Sequence, residues 1–145
     1  MGRRGEWGTR PGRESDLASV LALWREAGSR PSGTDDDGAL RLLIERDPDA
    51  LLIAEADGEV VGSLIVGWDG WRAGFYRLAV RPDRRRRGIA LALVREGERR
   101  LRELGAVRLT AIVATEDEEA VALWEAAGYR HQPEVGRFVR MLDRG

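Results

Sequence analysis

The stretch from Leu78 to Ala90, LAVRPDRRRRGIA, concentrates the chemistry of this chain. An apolar segment runs into Pro82, then into Arg84, Arg85, Arg86 and Arg87, and Gly88-Ile89-Ala90 opens a helical pattern. The amides of such a loop and of the helix's first turn point outward without partners, and the helix dipole adds about half a positive charge there. A diphosphate fits that arrangement. Gly88 keeps side-chain bulk away from the approaching phosphate, and the small Ala90 does the same further along. Two common phosphate motifs are absent: there is no G-x-G-x-x-G, and a P-loop needs a lysine, of which the chain has none. The arginine run by itself also suits a nucleic-acid backbone, but no aromatic residues are interleaved for base stacking.

Composition removes other chemistries. With no cysteine, the chain makes no disulfide, no thiolate nucleophile and no cysteine–zinc site. The single histidine, His131, excludes a multi-histidine metal centre and is expected at the surface, so no metal is expected. Net charge is −1, so no global field draws the protein to nucleic acid or to an anionic membrane. All the basic residues are arginine and asparagine is absent, a bias that reflects base composition and lowers the weight of any single arginine. No apolar run reaches the roughly 18 residues of a membrane span. The basic N-terminal segment lacks the apolar stretch of a signal peptide, and a cytoplasmic location is expected. The length of 145 residues suits one domain, residues 1–145.

The elements that position the loop follow from local pattern. Glu6 to Arg10 is a short strand. Ser15 or Asp16 caps a helix carrying Leu17, Val20, Leu21 and Trp24 at helical spacing, ending near Gly28. A polar stretch with Asp35, Asp36 and Asp37 leads to a second helix that ends before Pro48. Leu51 to Ala56 is a buried strand, Asp57-Gly58 a hairpin turn, Glu59 to Val66 the next strand. A second turn at Asp69-Gly70 lies between Trp68 and Trp71, and Phe75 to Val80 feeds the arginine loop. Ile89 to Leu104 is a helix with Leu91, Leu93, Val94, Leu101 and Leu104 inward, closed by Gly105. A strand over Val107 to Val113, a helix over Glu118 to Ala127 closed by Gly128, and strands at Tyr129 to His131 and Phe138 to Leu142 complete the order. The class is α/β, a mixed sheet with helices on both faces, ordered β-α-α-β-β-β-α-β-α-β-β.

The pattern at Arg85, Gly88 and Ala90, R-x-x-G-x-A, behind the strand Leu78-Ala79-Val80 and Pro82, resembles the coenzyme A loop of the GNAT superfamily of N-acyltransferases, Q/R-x-x-G-x-G/A. The segment with Asp117, Ala120, Leu123, Trp124, Gly128 and Tyr129 resembles that family's second motif, N-x-x-A-x-x-L/F-Y-x-x-x-G-F/Y. The element order resembles the GNAT fold from end to end, and the G-W-D-G-W-R hairpin resembles a small stand-alone bacterial subgroup.

The resemblance implies acetyl-CoA as cofactor and transfer of an acetyl group to a primary amine. It implies a central strand pair splayed so that Leu78, Ala79 and Val80 pair through their backbone with the pantetheine arm, as in β-augmentation. Arg85, Arg86, Arg87, Gly88, Ile89 and Ala90 would hold the diphosphate, and Asp117, Ala120 and Trp124 would contact the coenzyme. The Leu78 N–H would donate to the acetyl carbonyl. Two positions depart from the family pattern. Asp117 replaces an asparagine, and an ionised carboxylate accepts but does not donate. Trp124 replaces the tyrosine assigned as acid to the leaving thiolate, and an indole N–H is not acidic near neutral pH. A glutamate that often serves as base falls at Gly74, which leaves Tyr76, on the same strand face, to relay a proton through water. Asp35, Asp36, Trp68, Trp71 and Tyr76 are the candidates that would face the acceptor amine. A small-molecule amine is the first expectation for the partner. A protein N-terminus or lysine, a coenzyme-binding module without turnover and a homodimer stay open.

Overall fold

The computed structural model describes residues 6–144, which divide into two compact units, the first ending at Ile112 and the second starting at Val113. The first holds one sheet in the order β1-β2-β3-β4-β5. Its strands are β1 (Trp7–Pro11), β2 (Leu51–Ala56), β3 (Glu59–Trp68), β4 (Ala73–Val80) and β5 (Leu109–Ala111). The first four pair antiparallel and β5 pairs parallel to β4. Helices α1 (Leu17–Glu26) and α2 (Asp37–Arg46) precede β2, and α3 (Ile89–Leu104) links β4 to β5.

Local chemistry accounts for the elements. Asp57 and Gly58 adopt φ +52° and +77°, the pair of left-handed residues that a tight hairpin demands and that aspartate and glycine tolerate. Asp36 caps α2 by accepting from the Ala39 N–H at 2.8 Å, and Asp16, at the start of α1, accepts from the Arg13 N–H at 2.7 Å. Leu17, Val20, Leu23 and Trp24 of α1 and Leu40 of α2 bury one sheet face with Leu51, Ile53 and Ala79. The opposite face takes α3, whose Ile89, Leu93, Val94 and Leu101 are buried. That helix lies close because residue 97 is glycine: a Cβ there would meet Phe75 Cε1 at 2.8 Å and Val66 Cγ2 at 3.1 Å. Leu91 and Leu104, expected inward, are 40% and 45% exposed, since they stand on the flanks of the helix rather than on its buried stripe.

The second unit contains α4 (Glu118–Ala126), capped by Asp117, whose carboxylate accepts from the Ala120 N–H at 3.1 Å. Neither expected terminal strand forms: residues 129–144 are irregular, with Phe138, Val139, Met141 and Leu142 exposed. Apolar residues supply strand propensity, but a strand exists only where a neighbour takes its backbone hydrogen bonds. For the same reason β5 spans three residues, not the stretch from Val107 to Val113. Among the described residues, no helix is long and apolar enough to cross a membrane.

Candidate active site

The arginine loop is built as an anion cradle. After β4, residues Pro82–Arg84 make a short 3-10 turn, Arg86 adopts φ +62° and Gly88 φ +81°, and α3 begins at Ile89. Left-handed residues turn neighbouring N–H groups into a shared concavity, a nest for anions. Nothing lies within 4 Å of where a Cβ on Gly88 would sit, so the ground before the first turn of α3 is open. A diphosphate group fits there on three counts: the backbone turns, the helix dipole and the open space.

The four arginines divide their work. Arg84 pairs with Asp57 at 3.1 Å, and neighbouring Arg81 pairs with Glu59 and Asp83 at 2.7 Å each. Arg85 turns back into the protein: its guanidinium donates to the Val80 carbonyl at 3.3 Å and to the Ala27 carbonyl at the C-terminal end of α1 at 3.1 Å. It therefore braces the cradle against the last residue of β4 and a helix C-terminus, where a cation is favoured. Arg86 and Arg87 are exposed and carry no ion pair among the described residues, so they are the cations available to a phosphate. Within the run, then, Arg84 is neutralised by a carboxylate and Arg85 is partly engaged by backbone carbonyls.

Beside the cradle the sheet opens. The β4–β5 ladder consists of Ala73↔Leu109, Gly74↔Thr110 and Phe75↔Ala111, with a closing Ile112 N–H to Phe75 carbonyl bond at 3.3 Å. From Tyr76 to Val80, β4 has no partner in β5, so Leu78, Ala79 and Val80 lie beyond the paired section. On its other edge β4 stays paired with β3, through a bulge that sets Arg77 and Leu78 against the single residue Leu64.

A cleft of about 340 Å³ lies at the other end of β4, lined by Gly67, Trp68, Asp69, Arg72, Ala73, Gly74, Tyr76, Thr110 and Ile112. Gly67 and Gly74 are directly paired across the two strands, and the Tyr76 ring covers them: it lies 3.5 Å from the position of a Gly67 Cβ, and its hydroxyl 3.0 Å from that of a Gly74 Cβ. The phenol thus occupies the place where a side chain at position 74 would begin. Asp69 folds the hairpin tip, its carboxylate accepting from the Trp71 and Arg72 N–H groups at 2.8 Å each. The Arg72 backbone bond first, then that of Trp71, holds this carboxyl below the usual carboxylate range.

Not every expected acceptor residue reaches the cleft. Trp68 and Tyr76 line it. Trp71 does not; it is 70% exposed at the hairpin tip, under the Arg72 guanidinium at 4.1 Å from its ring centre. Asp35 and Asp36 do not line it either, because their carboxylates are engaged elsewhere. Asp35 pairs with Arg77 at 2.6 Å and accepts from the Ser32 N–H at 3.0 Å, while Asp36 caps α2. In the second unit Trp124 is buried, edge-on to Tyr129 with ring centres 4.9 Å apart, and Asp117 and Ala120 share the α4 cap. Sequence reasoning set the hairpin from Gly67 to Arg72 beside the acceptor, without singling out Gly67 or Arg72, and missed Ala73, Thr110 and Ile112. Gly67 had a usable signal, since a turn over 69–72 pairs residue 67 with residue 74. Arg77 was also missed and had none. No cluster of three metal-ligating side chains occurs among the described residues.

Residues 17–129 match the model of the Acetyltransferase (GNAT) family. A curated acetyltransferase from Sodalis glossinidius is 34% identical over 123 residues, which cover 85% of this chain and 87% of that protein. A second, from Photorhabdus laumondii, is 35% identical over 125 residues, again 85% and 87% of the two chains. Among solved structures, the PaiA N-acetyltransferase of Thermoplasma acidophilum in complex with coenzyme A superposes with a TM-score of 0.79 at 17% identity, covering 88% of this chain and 91% of that one.

Proposed function

The chain belongs to the GNAT acetyltransferase family, acetyl-CoA-dependent enzymes that acylate an amine, and from that premise we propose that it acetylates the primary amine of a small molecule by direct transfer. The observation that carries this is the end of the β4–β5 ladder at Phe75, with an anion cradle beyond it and an open cleft on the near side. Bound acetyl-CoA supplies an activated thioester. Arg86, Arg87, Gly88, Ile89 and Ala90 hold its diphosphate, with Arg85 bracing them from behind. The backbone of Leu78, Ala79 and Val80 hydrogen-bonds the pantetheine arm, and the Leu78 N–H orients the acetyl carbonyl. Both units belong to the one transferase domain, as the family match running across residue 112 supports.

The amine enters over the Gly67–Gly74 platform, between Trp68 and Tyr76. An alkylammonium has a pKa near about 10 and must give up a proton before it attacks. The Tyr76 hydroxyl, lying over Gly74, relays that proton: its oxygen accepts a hydrogen bond from a water that takes the proton, and its O–H donates to a second water, so that the proton reaches bulk solvent through the open cleft. No thiol exists in the chain to carry the acetyl group, which leaves the amine as its direct receiver. Trp124 supplies no proton to the departing thiolate, and a thiol of pKa about 8.5 leaves without one.

The test is release of free thiol from acetyl-CoA with a panel of small amines and of peptides with free N-termini or lysines. Release with small amines is the expected result, with Tyr76→Phe lowering kcat at least ~10-fold and leaving KM for acetyl-CoA unchanged. Release with peptides alone would move the acceptor to a protein amine. Coenzyme binding without amine-dependent release between about pH 7 and pH 9 would reduce the protein to a binding module.

A further inference from the structure

Arg77 stands where a long side chain is least at ease. It adopts φ +55° in the β4 bulge, where left-handed backbone costs least at glycine. Its surroundings give an arginine partners there. Its carbonyl accepts from the Ser63 hydroxyl at 3.0 Å, and that hydroxyl, fully buried, accepts from the Trp24 indole N–H at 2.8 Å. Its guanidinium carbon lies 5.2 Å from the centre of the Trp24 ring, within cation–π range. The same guanidinium donates to Asp35 at 2.6 Å, and both side chains of that pair are 18% exposed. Asp35 is itself fastened within its loop by the Ser32 N–H and hydroxyl. One residue therefore joins the kink in β4, the end of α1 and the segment between α1 and α2.

We propose that Arg77 is a positioning residue: through Asp35 and Trp24 it ties the α1–α2 segment to the β4 bulge and so sets the direction of the adjacent Leu78 N–H. The inference rests on the assignment of that N–H as the donor to the acetyl carbonyl. Backbone and side chain have separable parts here. The bulge itself suits glycine better than arginine, whereas only the guanidinium makes the tie to Asp35. The partners lie 42 residues apart in the chain, so the pair couples the α1–α2 segment to the strand that orients the donor.

The experiment compares Arg77→Gly, Arg77→Lys, Asp35→Asn and the Arg77→Gly/Asp35→Asn double variant. Arg77→Gly relieves the left-handed strain as it removes the tie. It is expected to melt within about 4 °C of the parent and to bind coenzyme A within about 3-fold, while kcat falls ~10-fold or more. Asp35→Asn, a loop substitution that threatens the fold least, is expected to lower kcat with KM for acetyl-CoA unchanged, and the double variant to be no worse than the poorer single. Arg77→Lys is expected to recover part of the loss, since an ammonium still pairs with Asp35. The Leu78 amide resonance is read directly in ¹⁵N-labelled protein and is expected to shift in Asp35→Asn while that of Gly88 stays in place. Effects that multiply in the double variant, or an unmoved Leu78 resonance, each overturn the tie. A moved resonance with unchanged kcat overturns instead the assignment of Leu78 as donor. The resonance decides the tie even if the wild-type protein transfers to no amine in the panel.

Discussion

Replacing Gly88 by glutamate isolates the phosphate cradle from the rest of the fold. The position is at φ +81°, so any side chain there costs about 1 kcal/mol of backbone strain. No atom lies within 4 Å of the new Cβ, so no clash adds to that cost. For a chain of this size the strain lowers the melting temperature by only about 2–4 °C. Binding suffers more. A carboxylate about 5 Å from the two charges of a diphosphate repels them by about 1.7 kcal/mol if water screens fully, and by about 6.6 kcal/mol at an effective dielectric of 20. The lower figure is already a roughly 20-fold loss of affinity. Titration calorimetry with coenzyme A, beside a thermal melt, reads both quantities. Gly88→Ala is the control: it carries the same strain without the charge, so its affinity falls less. Added salt narrows the difference in affinity between the glutamate and alanine variants, because it screens the repulsion that only the glutamate carries. A folded Gly88→Glu protein that binds coenzyme A within about 3-fold of the parent would falsify the placement of the diphosphate.

Four other variants probe the loop, the core and one ion pair. Arg85→Ala removes the bonds to the Val80 and Ala27 carbonyls, each worth about 0.5–1.5 kcal/mol, and is expected to weaken coenzyme binding ~10-fold by calorimetry. Arg84→Ala, which breaks an ion pair to the exposed Asp57, is expected to change affinity far less, and equal losses in the two variants would count against the bracing role. Gly97→Val drives a branched side chain into Phe75 and Val66 across the α3–sheet contact; a loss of at least about 2 kcal/mol is expected in urea unfolding, and an unmoved midpoint contradicts the close packing. Asp16 accepts a bidentate bond from Arg10, which together with the Arg13 N–H holds its carboxyl below the usual range despite burial. Its folded-state pKa is depressed, so its stabilisation is full above the unfolded value near about 3.9 and fades as pH falls through the folded one. Asp16→Asn is therefore expected to cost stability at neutral pH and to converge with the parent in acid, and a gap that persists at the lowest pH in thermal melts would reject the pairing.

Much of the frame was legible because its signals are local. Helix α3 and strand β2 have the bounds their periodicity implies, and the Asp57-Gly58 turn adopts the two positive φ values its residues invite. The arginine-glycine loop suggested an anion site through residue type and order, and it folds as a turn with positive φ at Arg86 and Gly88 ahead of α3. What stayed hidden depends on groups far apart in the chain. Nothing near Arg77 announces a left-handed bulge, since the usual glycine is absent and the partners that hold it, Trp24, Asp35 and Ser63, lie elsewhere in the chain. Asp35 reads as a loop charge free to meet a substrate until its partner in β4 is seen. Arg85 reads as a phosphate ligand, and its further bonds to carbonyls on β4 and α1 could not be read from its neighbours in the chain.

The amino-acid order alone determined the Asp57-Gly58 hairpin, the bounds of α3, the motifs by which the chain resembles its family, and that no thiol takes part. Tertiary structure alone decided which tryptophan faces the cleft, where β4 parts from β5, and which carboxylates and guanidiniums are already paired. The division has a physical cause. Dihedral preference and periodicity act over a few neighbouring residues, whereas a hydrogen bond or ion pair depends on distances that exist only after distant segments have packed together.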